Sequence, residues 1–341
     1  MKLYTRLDLF LIIILFSNST YAEKYIIGFG SCLDQNAPQP IWSSIEKESI
    51  NSFIFLGDNV YGDKPSGDLG NMKAAYDKQK KMLPKWLDSS MIEAVWDDHD
   101  YGINDGGGSY NNKDEAQKLF LDFWPIDEKD PRYNRGGTYF NKLINIDGVR
   151  VHLVALDTRF FRSDLIKLNG KYPLFADNTS NEATILGATQ WKWLEKVLKI
   201  ESDLVILASS IQVLPKDHGY EKWSLFPKEM NRLLKTISDS KIKTIIISGD
   251  RHKAAIYKNK DIVEITSSSM NRPISSFTMT EINETDSLMV GKVYNKVNYG
   301  LLKIDTELQT AEMSIKDINL SLIHISEPTR PRLISYAVFC L

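Results

Sequence analysis

The stretch Gly57-Asp58-Asn59-Val60-Tyr61 directly follows a short apolar run, Phe53 to Leu56. A buried strand ending in a turn there presents a carboxylate and, three residues on, a phenol. Open α/β sheets hold their ligands at the carboxyl ends of strands. An Asp–Tyr pair so spaced suits a trivalent cation, because a hard ion takes both oxygens and its charge favours the phenolate. Taken alone, the stretch reads more simply as an Asx-type turn. It is not alone. Tyr25 to Phe29 leads into Gly30-Ser31-Cys32, Ile92 to Trp96 into Asp97-Asp98-His99-Asp100, and Lys243 to Ser248 into Gly249-Asp250-Arg251-His252. Three carboxylates around an imidazole repel one another unless a cation or several hydrogen bonds hold them. Capping of a following helix is the alternative, but Tyr101 to Ser109 is rich in glycine. A fifth run, Val149 to Leu156, ends in Asp157-Thr158-Arg159. There Arg159 either offers its planar fork to a phosphoryl oxygen or pairs with Asp157.

Hydrophobic spacing supplies the elements that must position these groups. Helices are expected over Pro40 to Ile50, Met72 to Trp86, Lys113 to Trp124, Gln190 to Ile200 and Trp223 to Ile237. Further strands are expected over Thr138 to Phe140, Leu204 to Ala208, Ile262 to Thr266, Leu301 to Ile304 and Ala311 to Ile315. Asp164 to Thr184 is irregular and polar, read as a rim loop over the site, and Lys216, Asp217 and His218 read as a solvated loop, the alternative being a lining of the substrate pocket. Four polar strand ends at one edge of a parallel-rich sheet would converge. Thiolate, phenolate, carboxylates and imidazoles together are too varied for a closed structural zinc site. They suit two unlike ions, and two metals flanking an anionic substrate hydrolyse phosphate esters.

The chain has 341 residues, 43% hydrophobic and 25% charged, an ordinary globular composition. Its net charge of −2 gives no electrostatic case for a nucleic-acid-binding surface or for an acidic membrane. Lys2 and Arg6, the apolar run Leu9 to Phe16 and Thr20-Tyr21-Ala22 form the pattern of a signal peptide over residues 1–22. The alternative is a retained anchor, which Asp8 keeps open; no permanent membrane span is expected, and the body is expected to be periplasmic or secreted. Leu320 to Leu341 resembles the conceptual translation of a sequencing adapter and is set apart from the catalytic domain, 23–319, whose natural sequence is expected to continue past Asn319. Setting Cys340 aside leaves Cys32 without an intrachain disulfide partner.

Phe29-Gly30-Ser31-Cys32, Gly57 to Tyr61, Trp96 to Asp100 and Ser248 to His252 together resemble the PhoD-like alkaline phosphatase/phosphodiesterase family of calcineurin-like metallophosphoesterases. The resemblance runs from about Ile27 to Met270 in the family's order. It implies a four-layer α/β/β/α sandwich and a dinuclear site, usually ferric iron with calcium, other divalent metals being alternatives. By position, it implies that Asp58 bridges the metals, Tyr61 and Cys32 serve the iron side, and Asp98, Asp250 and His252 are further ligands. His99 falls where the superfamily's leaving-group histidine stands, so His99 and Asp58 are the catalytic candidates. Asn59, Arg159 and Arg251 are candidates for contact with substrate phosphate. A metal-binding histidine expected after the Leu204 strand is absent, with Ser209 and Ser210 in its place, and Asp100 replaces a frequent Glu. The implied activity is hydrolysis of a phosphoester by metal-bound hydroxide. The alternatives are another exported metallohydrolase, such as a nuclease or phosphotriesterase, or a secreted calcium-stabilised binding protein without catalysis.

Overall fold

The computed structural model describes residues 24–170, 172–274 and 284–319, with the backbone of 322–323 and 335–338. The expected signal peptide, 1–22, and most of 320–341 lie outside the described residues.

Three parallel strands come first: β1 (Tyr25–Gly30), β2 (Ser52–Leu56) and β3 (Met91–Val95). The links between them carry α1 (Trp42–Glu46) and α2 (Met72–Met82). After β3 stand a one-turn helix, α3 (Asp98–Tyr101), and α4 (Lys113–Phe123). An antiparallel hairpin follows, β4 (Phe140–Ile146) with β5 (Val149–Ala155), then a small ribbon of β6 (Ile166–Lys167) and β7 (Phe175–Ala176). Next come α5 (Gly187–Val197), β8 (Leu204–Ser209), α6 (Pro227–Ser240) and β9 (Lys243–Ser248), with β5, β8 and β9 parallel. The chain continues through β10 (Ala254–Asn259), β11 (Ile262–Ser267), β12 (Met289–Tyr294), β13 (Asn298–Asp305) and β14 (Thr310–Asp317). Backbone strands β15 (Leu322–Ile323) and β16 (Ser335–Val338) both pair with β14.

These strands make two large mixed sheets, as the expected four-layer sandwich requires, so the polar strand ends come from two sheets and not from one edge of one. One runs β15-β14-β13-β1-β2-β3; the other runs β12-β10-β11-β9-β8-β5-β4. Side chains alternate across a strand, and the alternation assigns the layers. Ile54 and Leu56 face inward onto Leu204, Ile206 and Ala208 of the other sheet, in one buried cluster shared by both. Phe53 and Phe55 face outward and pack with Trp42 and Ile45 of α1 and Phe120 of α4. Val205 and Leu207 face outward on the second sheet, under Trp191 and Leu194 of α5 and Leu233 and Ile237 of α6. The result is the four-layer α/β/β/α arrangement.

Local departures from the expected elements have local causes. α2 ends at Met82, short of Trp86, because Leu83 precedes Pro84 and is extended at ψ 132°. The helix expected from Trp223 is a short 3-10 turn followed by α6, which starts with Pro227 in its first turn. The strand expected from Thr138 begins at Phe140. Among the described residues no helix is long and apolar enough to cross a membrane.

Candidate metal centre

β2 leaves its sheet through Gly57, whose φ is +97°. A Cβ there would lie 2.4 Å from Asp97 Cβ, so glycine alone lets the turns after β2 and β3 approach. Gly249, after β9, serves the other sheet in the same way. Its Cβ would lie 2.6 Å from Ser31 Oγ and 2.7 Å from the carbonyl oxygen of Leu56. Strand ends of both sheets therefore meet at one point. Cys32, Asp58, Asp250 and His252 all have positive φ, between 52° and 71°. Left-handed backbone is unfavourable for side-chain-bearing residues and clusters at functional sites; here it turns each side chain over its strand end.

Three overlapping groups of ligand-type atoms result, each within 4.8 Å: Cys32–Asp58–His252, Asp58–Asp98–His99 and Asp97–Asp98–Asp250. Asp58 belongs to the first two and Asp98 to the last two. Asp58 Oδ2 accepts from Cys32 Sγ at 3.4 Å and from the Tyr61 hydroxyl at 3.2 Å, which brings the phenol to the same oxygen. His252 Nδ1 donates to the carbonyl oxygen of Arg272 at 2.5 Å. A carbonyl only accepts, so Nδ1 carries the proton and Nε2 keeps its lone pair. His99 Nδ1 lies 2.8 Å from Asp63 Oδ1, and its ring packs on Tyr61 at 4.3 Å between centroids. A cavity of about 180 Å³ opens over this cluster, lined by Asp58, Asp98, His99, Asp105, Glu221, Asp250, Arg251 and His252 with Leu174, Tyr220 and Ile274.

Burial pushes the Cys32 thiol and the Tyr61 phenol up, and the nearby Asp58 adds to both shifts. Burial likewise raises Asp58, Asp97 and Asp250 well above the usual carboxylate range, with neighbouring carboxylates adding to it. Burial also opposes ionisation of Asp98, but His99 and Arg159 outweigh it and hold that carboxyl low. Burial would lower His99, yet Asp98, Asp58 and Asp63 raise it to about 10. His252 falls to about 4 through burial and nearby arginines. Thiol, phenol and three carboxylates thus resist ionisation for the same two reasons, burial and one another's charge. A multivalent cation reverses both, and the donor set fits one.

The profile of the PhoD-like phosphatase family matches residues 89–315, about two thirds of the chain. The chain belongs to the PhoD-like phosphatase family. It is accordingly a metal-dependent phosphoester hydrolase. The solved structure of PhoD is similar with a TM-score of 0.60 at 14% identity, covering 92% of this chain and 73% of that one. GAP50, the anchor in the inner membrane complex of Plasmodium, is similar with a TM-score of 0.57 at 11% identity, covering 92% and 91%. At these identities the two likenesses speak for the fold. No curated protein sequence matches.

Within this PhoD-like site, the expected ligands Cys32, Asp58, Asp98, Asp250 and His252 come together, and Tyr61 joins them through Asp58. Arg251 lines the cavity, stacked 4.0 Å above the Tyr220 ring. Arg159 does neither of the things expected of it. Fully buried, it pairs with Asp97 Oδ1 at 2.6 Å and Glu221 Oε2 at 2.5 Å, and only its backbone N–H reaches Asp157, at 2.8 Å. Asn59 is not among the residues that line the cavity; its side-chain amide donates to Asp100 Oδ2 at 2.5 Å and to the Val95 carbonyl at 2.9 Å. The acidic run after β3 does cap a helix: Asp97 and Asp100 close a capping box on α3, with Asp100 Oδ1 accepting from the Asp97 N–H at 2.5 Å. One turn before the glycines suffices for that, so capping and ligand-type clustering coexist. His218 is buried, unlike its exposed neighbours Lys216 and Asp217. Residues outside the expected set also matter here: Asp63, which orients His99, Asp105 and Glu221 on the cavity wall, and Leu174 from the rim loop.

Proposed function

We propose that this chain is an exported phosphodiesterase or phosphomonoesterase that works with two unlike cations, ferric iron and calcium. The observation that carries it is Asp58, shared between the Cys32–His252 group and the Asp98–His99 group. Cys32, Tyr61, His252 and Asp58 would hold the iron; Asp58, Asp98 and Asp250 would hold the calcium. When bound, the cations supply Lewis acidity to the phosphoryl oxygens and acidify a water for in-line attack.

The remaining work falls to side chains. Arg251 lies against Tyr220 at the cavity wall, where its fork meets a phosphoryl oxygen. His99, held through Nδ1 by Asp63, presents Nε2 to the leaving oxygen and gives it a proton as the phosphorus–oxygen bond breaks. Leu174, Tyr220 and Ile274 form an apolar side to the cavity that helps exclude water. Export rests on the pattern in residues 1–22 and is checked by sequencing the mature N-terminus.

The functional test is a panel of model mono-, di- and triesters with wild type and Asp58→Asn. Wild type is expected to turn over mono- or diesters, while Asp58→Asn loses both turnover and bound metal. Near-normal activity in Asp58→Asn overturns the scheme. A metal-replete wild type inert towards every ester favours a binding protein that keeps the fold.

A further inference from the structure

The side chain of Asp97 is fully buried and lopsided in its contacts. Oδ1 accepts from Arg159 Nε at 2.7 Å and Ser210 Oγ at 2.6 Å, with Arg159 Nη2 also at 2.6 Å. Oδ2 makes no hydrogen bond. A carboxylate whose only task was to pair with Arg159 would use both oxygens against the fork. Instead the remaining nitrogen of Arg159, Nη1, goes to Glu221. Ser210 is held in turn. Its hydroxyl hydrogen goes to Asp97, so Thr158, 2.6 Å away, must donate to Ser210. One oxygen is thus fixed by two donors, with a second guanidinium nitrogen at ion-pair distance, while the other is left bare. Outer-shell groups hold a metal ligand in this manner. Oxygens of Asp97, Asp98 and Asp250 lie within 4.8 Å of one another, and a bare buried carboxylate oxygen beside two other acids is costly without a cation.

We propose that Asp97 Oδ2 is a ligand of the second cation, beside Asp98 and Asp250, and that Ser210 and Arg159 position it; this rests on the two-cation reading above. Asp97, Asp98 and Asp250 bring only oxygen donors, the preference of a hard ion such as calcium, whereas Cys32 and His252 belong to the other ion.

The test compares purified full-length wild type, Asp97→Asn and Ser210→Ala by metal analysis, calcium titration and visible absorption, with circular dichroism to confirm folding. Wild type is expected to bind both ions. Asp97→Asn is expected to lose calcium while keeping the colour of the iron side. Ser210→Ala is expected to keep both ions with calcium affinity lowered about 10–100-fold. Calcium binding by folded Asp97→Asn equal to wild type overturns the assignment. Should that variant fail to fold, anomalous diffraction from calcium-loaded wild-type crystals decides. Oδ2 about 2.3–2.6 Å from the second ion is expected, and an ion that Oδ2 does not touch overturns it. A wild type that binds a single ion removes the two-cation reading, and this assignment with it.

Discussion

At the scale of single residues, the site depends on side chains that are oriented before substrate arrives. His99 is held by Asp63 and packed on Tyr61, so its orientation does not depend on the substrate. His99→Ala is expected to lower kcat by about 10²–10⁴-fold, with Asp63→Asn giving a smaller loss at unchanged metal content. Steady-state kinetics with metal analysis checks both, and an unaffected kcat in His99→Ala would remove the proton-donor role. That Cys32, Asp58, Tyr61, Asp98, Asp250 and His252 gather at one place was legible because they follow apolar runs in the sequence. Asp63 was not: it sits in a turn-rich loop, and its link to His99 spans 36 residues of sequence. The partners of Arg159 and Asn59 were not legible for a similar reason, because Glu221, Asp97 and Asp100 are distant in sequence and no local spacing announces them.

At the scale of elements, the turns after β1, β2, β3 and β9 do the positioning, and Gly57 and Gly249 in two of them admit no side chain. Gly57→Ala combines a left-handed backbone, roughly 1–2 kcal/mol, with overpacking against Asp97, roughly 1–3 kcal/mol. A loss of about 2–5 kcal/mol is expected in urea unfolding, together with loss of metal; a variant as stable as wild type would contradict the close approach of the two turns. Strands with a clear apolar run, such as β2, β8 and β9, were legible to within a residue or two. β10 and β12 were not. β12 is half exposed and carries Gly291 and Lys292, and β10 ends in Tyr257-Lys258-Asn259, so neither shows a clean apolar run.

At the scale of the whole molecule, two sheets are clamped at the site edge. Arg159 follows β5 of one sheet and Asp97 follows β3 of the other, and both are fully buried. Arg159→Ala strands Asp97 without its charge partner and leaves Glu221 with Arg162 alone, so a loss of about 3–5 kcal/mol is expected in urea unfolding. Pairing across sheets is also what the sequence could least reveal, since periodicity shows a strand but not the sheet it joins. Glu264 of β11 gives the fold a pH dependence away from the metal cluster. Burial raises it from 4.5 to about 7, while Ser248 and the N–H groups of Val213 and Leu214 donate to it. The folded state then holds a proton that the unfolded state has released between these values, so this contribution is full below about pH 4.5 and is lost as pH rises through about 7. Urea unfolding at pH 5 and pH 8 is expected to show wild type losing up to about 3 kcal/mol relative to Glu264→Gln over that rise. An equal pH slope in both proteins would contradict it.

Asp58 is proposed to gather a centre of two unlike ions around it. The most direct test of that centre is the metal content and visible spectrum of the purified, active full-length protein. One iron and one calcium per chain are predicted, with a charge-transfer band that Tyr61→Phe shifts or removes. An active, colourless protein that carries only zinc would contradict the account.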